Sequence, residues 1–154
     1  MPASTSVSTV KPPLLVSACL LGVACNHRGR SSPSPAVARL GATHRLVPVC
    51  PEAAGGLPTP RPAAELHADG SVRTEAGDDV SDAYRRGAAA AVALAAALGA
   101  TEAVLKARSP SCGCHQTYDG SVRGRLVSRP GVTAAALAAA GLAIRSEEDL
   151  QTEP

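Results

Sequence analysis

Three short runs of strand-type residues, at positions 14–18, 45–49 and 102–107, are each followed by a cysteine: Cys19, Cys50 and Cys112. The segments between them are helical or turn-rich in character. Alternation of this kind predicts a parallel sheet with helices packed on it. In open parallel sheets ligands gather outside the carboxyl ends of the strands. Three thiols at successive strand ends therefore mark a candidate site before any motif is considered.

The remaining segments fit the same architecture. Ser34 is placed to cap a short helix that runs toward Leu40 and ends at Gly41. The clearest helix starts near Asp79 or Ser81 and continues to Ala97, with Gly99 as its stop. Val80, Tyr84, Ala88, Val92 and Ala95 recur there at three- and four-residue spacing, which gives one apolar face to lie on the sheet. A last helix over 132–140, begun near Pro130-Gly131 and ended by Gly141, precedes a short strand at 142–145. Cys50-Pro51-Glu52 opens a long loop in which Gly55, Gly56, Pro58, Pro60 and Pro62 are expected to exclude regular structure. The stretch 108–125 reads as turn-rich. The expected fold is a small three-layer Rossmann-like α/β domain with a mostly parallel sheet of about four strands and a loop-built site at the strand carboxyl ends. Residues 1–13, rich in Ser, Thr and Pro, are read as a disordered tail, and 14–150 as a single domain, which suits a chain of 154 residues.

Composition narrows the function classes. The apolar residues make up 45% of the chain yet include no Phe and no Trp, so the core must be filled by small side chains. A net charge of +2 with dispersed arginines gives no basic stripe, and no binding to duplex nucleic acid is expected. Val16-Ser17-Ala18-Cys19 resembles a lipoprotein cleavage site. The apolar run before it is only residues 14–16, behind Pro12 and Pro13, whereas a signal needs roughly 7 to 15 apolar residues. No stretch meets the ~20-residue criterion for a membrane span, so no membrane association is expected. An odd number of cysteines without a secretory signal points to reduced thiols, metal ligands or reactive residues in the cytoplasm.

Cys112-Gly113-Cys114 is close enough for two thiolates to share a metal, but Cys19, Cys25 and Cys50 lack Cys-x-x-Cys spacing. Any one of these cysteines has an alternative reading as a small buried hydrophobe. Glu52 stands two residues after Cys50, near enough to act on whatever that thiol holds, or else is a solvated loop acid. Ser109 and Ser111 precede Cys112 in what is otherwise an ordinary Ser-Pro-Ser turn. Gly55-Gly56 lacks the spacing of a dinucleotide loop or a P-loop. His27 and His115 adjoin Cys25 and Cys114, so a mixed Cys/His zinc site stays open beside the reading of surface histidines. Two further classes remain. One is a cysteine-based redox or sulfur-carrier protein with Cys112 and Cys114 as exchanging thiols, and the other is a non-enzymatic metal- or nucleotide-binding domain.

Taken together, four groups of residues resemble the thiouracil desulfidase family. They are Val16-Ser17-Ala18-Cys19-Leu20-Leu21-Gly22 with Cys25; Cys50-Pro51-Glu52-Ala53-Ala54-Gly55-Gly56-Leu57-Pro58-Thr59-Pro60-Arg61-Pro62 with Glu65; Leu105-Lys106-Ala107-Arg108-Ser109-Pro110-Ser111-Cys112-Gly113 with Tyr118-Asp119-Gly120; and the closing Gly131-Val132-Thr133-Ala134-Ala135 and Ser146-Glu147-Glu148. The resemblance covers nearly all of the chain from Leu14 to Glu148.

The resemblance implies an iron-sulfur enzyme that removes sulfur from 2- or 4-thiouracil to give uracil, without net redox change. By motif, Cys19, Cys50 and Cys112 match the family's ligands to a 4Fe-4S cluster whose remaining iron has no protein ligand and takes the substrate sulfur. Soft thiolates suit such a cluster. Glu52 matches the family's proton acceptor and Ser109 the neighbouring proton-relay hydroxyl, with Ser111 close by. Cys25 and Cys114 stay outside the ligand set, and Arg61, Lys106 and Arg108 flank the motifs as charges that could balance a cluster. The chain departs from the family pattern at Asn26-His27-Arg28-Gly29, where an aromatic and an acid commonly precede the glycine, and at Val122, where an aromatic is usual, which bears on substrate preference more than on reaction type. The implied partner is a small thiolated nucleobase or nucleoside, and a homodimer is compatible with a small domain of this kind.

Overall fold

In the computed structural model, which describes residues 10–151, the chain runs β1 (Pro13–Ser17), a 3-10 turn (Ala18–Leu21), α1 (Pro35–Arg39), β2 (Arg45–Val49), α2 (Pro51–Ala54), β3 (Ala64–Leu66), β4 (Val72–Thr74), α3 (Ser81–Leu98), β5 (Glu102–Leu105), β6 (Thr117–Tyr118), β7 (Leu126–Val127), α4 (Val132–Ala139), β8 (Ala143–Ser146) and α5 (Glu147–Gln151). Residues 1–9 of the expected tail lie outside the described residues, and Pro13 already belongs to β1.

β1 carries three consecutive large apolar residues, Leu14, Leu15 and Val16, each wholly buried. A strand buried on both faces is the mark of an inner position in a parallel sheet. β1 pairs in parallel with β2 on one side and β5 on the other, and β5 pairs with β8, giving the order β2-β1-β5-β8. The two-residue side-chain period sends Leu15, Ala103 and Leu105 to one face, where they meet Ala91 and Ala95 of α3 and Ala134 and Leu137 of α4. Leu14, Val16 and Val104 face the other way, onto Val37 of α1 and Leu150 of α5. The result is the expected three-layer α/β domain with a four-stranded parallel sheet.

α3 is the longest element, and its ends follow from sequence. The Asp79 carboxylate accepts the Ser81 N–H at its start. Gly99, at a φ of 67°, closes it by donating its N–H to the carbonyls of Ala95 and Ala96. The Ser34 hydroxyl accepts the Val37 N–H at the head of α1, as expected. Gly41 does not cap α1. It lies inside a 3-10 turn, Leu40–Ala42, that continues the helix.

Two segments differ from the sequence expectation. The proline-rich stretch after Cys50 contains α2, with Pro51 at its first turn, where a missing N–H costs nothing. Two antiparallel hairpins, β3-β4 and β6-β7, were not foreseen; their strands of two or three residues are too short for an alternating pattern to be seen. α2 lies unusually close to α3. A Cβ on Gly55 would come within 1.9 Å of the Ala83 carbonyl oxygen, and one on Gly87 within 1.9 Å of the Pro51 carbonyl oxygen. The two glycines thus admit a backbone-to-backbone contact, and Arg86 locks it by donating from Nε and a terminal nitrogen to the Gly55 carbonyl.

Candidate active site

Each of the three strand-end cysteines is held by backbone contacts peculiar to its turn. Cys19 sits in the 3-10 turn after β1, where its carbonyl accepts the Ser32 N–H at 2.9 Å and so stitches the returning loop to the strand end. Cys50 follows β2 directly and stands at the N-cap of α2. Cys112 lies in the turn after β5, where the Ser109 hydroxyl accepts the N–H groups of Ser111 (3.1 Å) and Cys112 (3.0 Å). That turn is braced from behind by α4. Val132 donates to the Pro110 carbonyl, and Thr133 and Ala134 donate to the Ser111 carbonyl, so the free N–H groups of the first helical turn are satisfied by the cysteine loop.

Because β2, β1 and β5 are neighbours, their carboxyl ends open onto one space. Cys19, Cys50 and Cys112 all line a cavity of about 420 Å³, together with Glu52 and Ser109. The chain leaves β1 for β2 on one side and crosses to β5 on the other, so the cavity lies at the point where the winding reverses. Cys25 lines the same space; its carbonyl accepts from the Cys50 thiol at 3.7 Å.

Glu52 is held in a fixed orientation. Its Oε2 accepts the Tyr84 hydroxyl at 3.1 Å and lies 3.4 Å from a terminal nitrogen of Arg61. Oε1 takes no hydrogen bond from the described residues. Arg61 is itself buried and donates to the carbonyls of Cys25 and Pro58, while its Nε has no partner among the described residues. Burial pushes the Tyr84 phenol far above its usual range, with the Glu52 charge adding to the effect, so Tyr84 is a permanent donor at neutral pH.

Geometry separates the two candidate hydroxyls. Ser109 lines the cavity, whereas Ser111 is 0% exposed and its oxygen is paired with Thr133 Oγ1 at 2.8 Å. The two tyrosines are the only aromatic residues in the chain, and both Tyr84 and Tyr118 line the cavity. Sequence reasoning placed Tyr84 on the apolar face of α3 and missed its bond to Glu52; the scarcity of aromatics was the available signal. Glu65 accepts the N–H groups of Gly120 (2.9 Å) and Val122 (3.2 Å), which ties the β6-β7 hairpin to the cavity wall. Lys106 pairs with Glu147 at 3.2 Å, and Arg108 with Glu148 at 2.7 Å.

The thiols are arranged for a soft, electropositive group. Burial pushes Cys112 up to about 12, with the Glu52 charge adding and the neighbouring Ser17 and Ser111 hydroxyls opposing. Burial likewise raises Cys19 to about 11, against the pull of the Lys106 charge. Buried thiols of this kind give up their protons to a metal rather than to water. All three line one space, and soft thiolates so placed suit a cluster of several irons.

The alternative of one mixed zinc site built from Cys25, His27, Cys114 and His115 is not gathered as a unit among the described residues. His27 lines the large cavity, its pKa lowered by burial and by the Arg28 and Arg61 charges. His115 and Cys114 group with Asp149, which sequence reasoning missed because it lies 34 residues away.

A model of the 2-thiouracil desulfurase family matches residues 14–149, a span that takes in every residue lining the large cavity. The chain belongs to this family. The chain is similar to a solved structure described as the 4Fe-4S-dependent thiouracil desulfidase TudS, at 43% identity and a TM-score of 0.85 over 92% of this chain and 94% of that one. It is also 37% identical over 146 residues to the uncharacterized protein YbbK of Bacillus subtilis (strain 168), covering 89% of this chain and 97% of that protein. All residues that the sequence nominates for the candidate site lie inside the matched span.

Proposed function

We propose that this member of the 2-thiouracil desulfurase family removes sulfur from thiolated pyrimidines of the 2- or 4-thiouracil type, with Cys19, Cys50 and Cys112 holding a 4Fe-4S cluster. The reading is carried by the convergence of three strand-end thiols and an oriented carboxylate on one cavity. The likeness to a desulfidase described as 4Fe-4S-dependent supports both cofactor and substrate class. When bound, a cluster held by three cysteines supplies one iron with an open position, a soft Lewis acid for a thiocarbonyl sulfur.

The chain supplies the proton chemistry. With Oε2 held by Tyr84 and Arg61, Glu52 is left with Oε1 to take a proton from the water that adds to the thiocarbonyl carbon. Ser109 spends its oxygen on two backbone N–H groups, so its own hydroxyl proton is available to the departing sulfur or a ring nitrogen. Lys106 lies nearest Cys19 in charge effect and offsets the negative charge of bound thiolates. Tyr118 offers an aromatic face to a planar base. The balance is water in, uracil and hydrogen sulfide out, with no electron transferred. Five free thiols and an iron-sulfur cofactor suit the cytoplasm. No helix among the described residues is long and apolar enough to cross a membrane.

A redox or sulfur-carrier role for a Cys112-Cys114 pair is less well supported, because the two thiols line different cavities. The test is uracil release from 2- and 4-thiouracil by anaerobically reconstituted protein and its Glu52→Gln variant. The variant is expected to keep its iron and lose about 10²- to 10⁴-fold in turnover. Full activity in Glu52→Gln would remove Glu52 from the mechanism, and no uracil from iron-loaded wild type would move the search to other thiolated substrates.

A further inference from the structure

The loop that carries Ser109 and Cys112 presents a second group of donors to a separate, smaller cavity. Cys114 and His115, just past the loop's turn, line a space of about 40 Å³ with Gln116 and Ser146. Asp149 of α5 completes the group, and the Cys114 sulfur, a His115 ring nitrogen and an Asp149 oxygen all lie within 4.8 Å of one another. Among the described residues no other set of three such donors is gathered so tightly.

We propose that Cys114, His115 and Asp149 bind a divalent ion of the zinc class, with water as the fourth ligand. Thiolate, imidazole and carboxylate are the three donor types that zinc accepts, and the sulfur selects it over magnesium and calcium. Zinc bonds of ~2.0–2.3 Å at tetrahedral angles place ligand atoms roughly 3.3–3.8 Å apart. The donors therefore need only a small rearrangement, in which the His115 ring parts slightly from Asp149 to admit the ion, and the His115 side chain, 61% exposed, is free to make it. Two of them already converge: His115 Nε2 lies 2.8 Å from Asp149 Oδ2. When Nε2 turns to the metal, the imidazole carries its proton on Nδ1 and stays neutral.

The carboxylate is also set in place beforehand. Asp149 Oδ2 accepts the Ser146 N–H at 2.9 Å while the Ser146 hydroxyl accepts the Asp149 N–H, a reciprocal capping arrangement at the head of α5. Hydrogen bonds of this outer kind orient metal ligands and strengthen binding. The adjoining cavity exceeds the ~10–15 Å³ that one water requires, which accounts for the fourth position. Thiolate and carboxylate together neutralise a divalent charge, and Arg108 is engaged by Glu148. Binding releases the Cys114 proton to solvent, and no redox step is involved. The ion joins the loop after β5 to α5 and so steadies the backbone that presents Ser109 and Cys112 to the large cavity. The site shares no residue with the cluster ligands and does not rest on the desulfidase reading.

The test is a zinc chloride titration of the anaerobically prepared, iron-loaded protein, with zinc and iron per chain counted in parallel and zinc-edge X-ray absorption on the product. The expected result is a single zinc per chain with one sulfur and otherwise nitrogen or oxygen neighbours, at unchanged iron. Cys114→Ala and His115→Ala should each weaken zinc binding by more than about a hundredfold while keeping their iron. His115 is exposed, so its variant folds even if loss of the half-buried Cys114 does not allow it. Zinc that binds equally well to both variants, zinc gained only as iron is lost, or no zinc bound at all would each overturn the proposal. The iron count reports separately on the cluster.

Discussion

Glu52 has one oxygen held by Tyr84 and Arg61 and the other without a hydrogen bond from the described residues, a division of labour that a single hydroxyl deletion can probe. Tyr84→Phe keeps the ring in the small-residue core and removes only the bond to the carboxylate. A hydrogen bond to a charged group is worth about 1.5–3 kcal/mol, so turnover should fall roughly ten- to a hundredfold at unchanged iron content. Activity equal to wild type would show that Arg61 alone orients Glu52. The buried thiols make a second residue-level prediction. Burial raises Cys19 to about 11 and Cys112 to about 12 from an ordinary value of 9.0. The folded chain thus holds these protons at pH values where the unfolded chain has lost them. Their contribution to stability is complete below pH 9 and disappears as the pH rises toward 11 to 12. The melting temperature of the metal-free protein should therefore fall from about pH 9 upward; a rise over that interval would contradict the assignment. Of these residues, Cys19, Cys50, Cys112, Glu52 and Ser109 were legible in the sequence because motif and strand end coincide. The Tyr84 bond was not, since helical periodicity reports that a residue faces inward and says nothing of what its polar tip meets.

Among the elements, α2 is the one that decides where Cys50 and Glu52 stand, and it rests on α3 through Gly55 and Gly87. Gly87 lies inside an 18-residue helix, where glycine costs about 1 kcal/mol against alanine. That cost is offset by the close approach it permits. Gly87→Ala should gain helix propensity and yet lose about 1–3 kcal/mol overall through overpacking. Iron retention should fall with it as Cys50 is displaced, and a variant that melts higher than wild type with full iron would refute the close-contact account. α3 could be read from sequence because 18 residues give the apolar face several repeats. α2 could not, because four residues give none and the surrounding prolines argue against helix. One of those prolines, Pro51, occupies the single helical position that suits it. The hairpins β3-β4 and β6-β7 escaped for the same reason of length, although Glu65 uses one to hold the other over the cavity.

At the scale of the whole molecule, the strand order brings the chemistry together. Strand identity was visible along the chain, but the order β2-β1-β5-β8 depends on pairings between residues 30 to 90 positions apart, such as Leu14 with Leu46 and Leu15 with Ala103. That order makes the three strands that lead to the cysteines neighbours, and their ends open onto a shared cavity. Cys25 and Cys114, which the resemblance leaves outside the ligand set, take different places, one beside Cys50 and the other with His115 and Asp149. The central claim is that Cys19, Cys50 and Cys112, and no other cysteines, hold the cofactor. The measurement is iron and sulfide content with uracil release for five anaerobically reconstituted single Cys→Ala variants. Wild type, Cys25→Ala and Cys114→Ala should carry near four irons and four sulfides per chain and release uracil, whereas Cys19→Ala, Cys50→Ala and Cys112→Ala should lose the cluster and all turnover. Full cluster and activity in any one of those three, or loss of the cluster in Cys114→Ala, would contradict it.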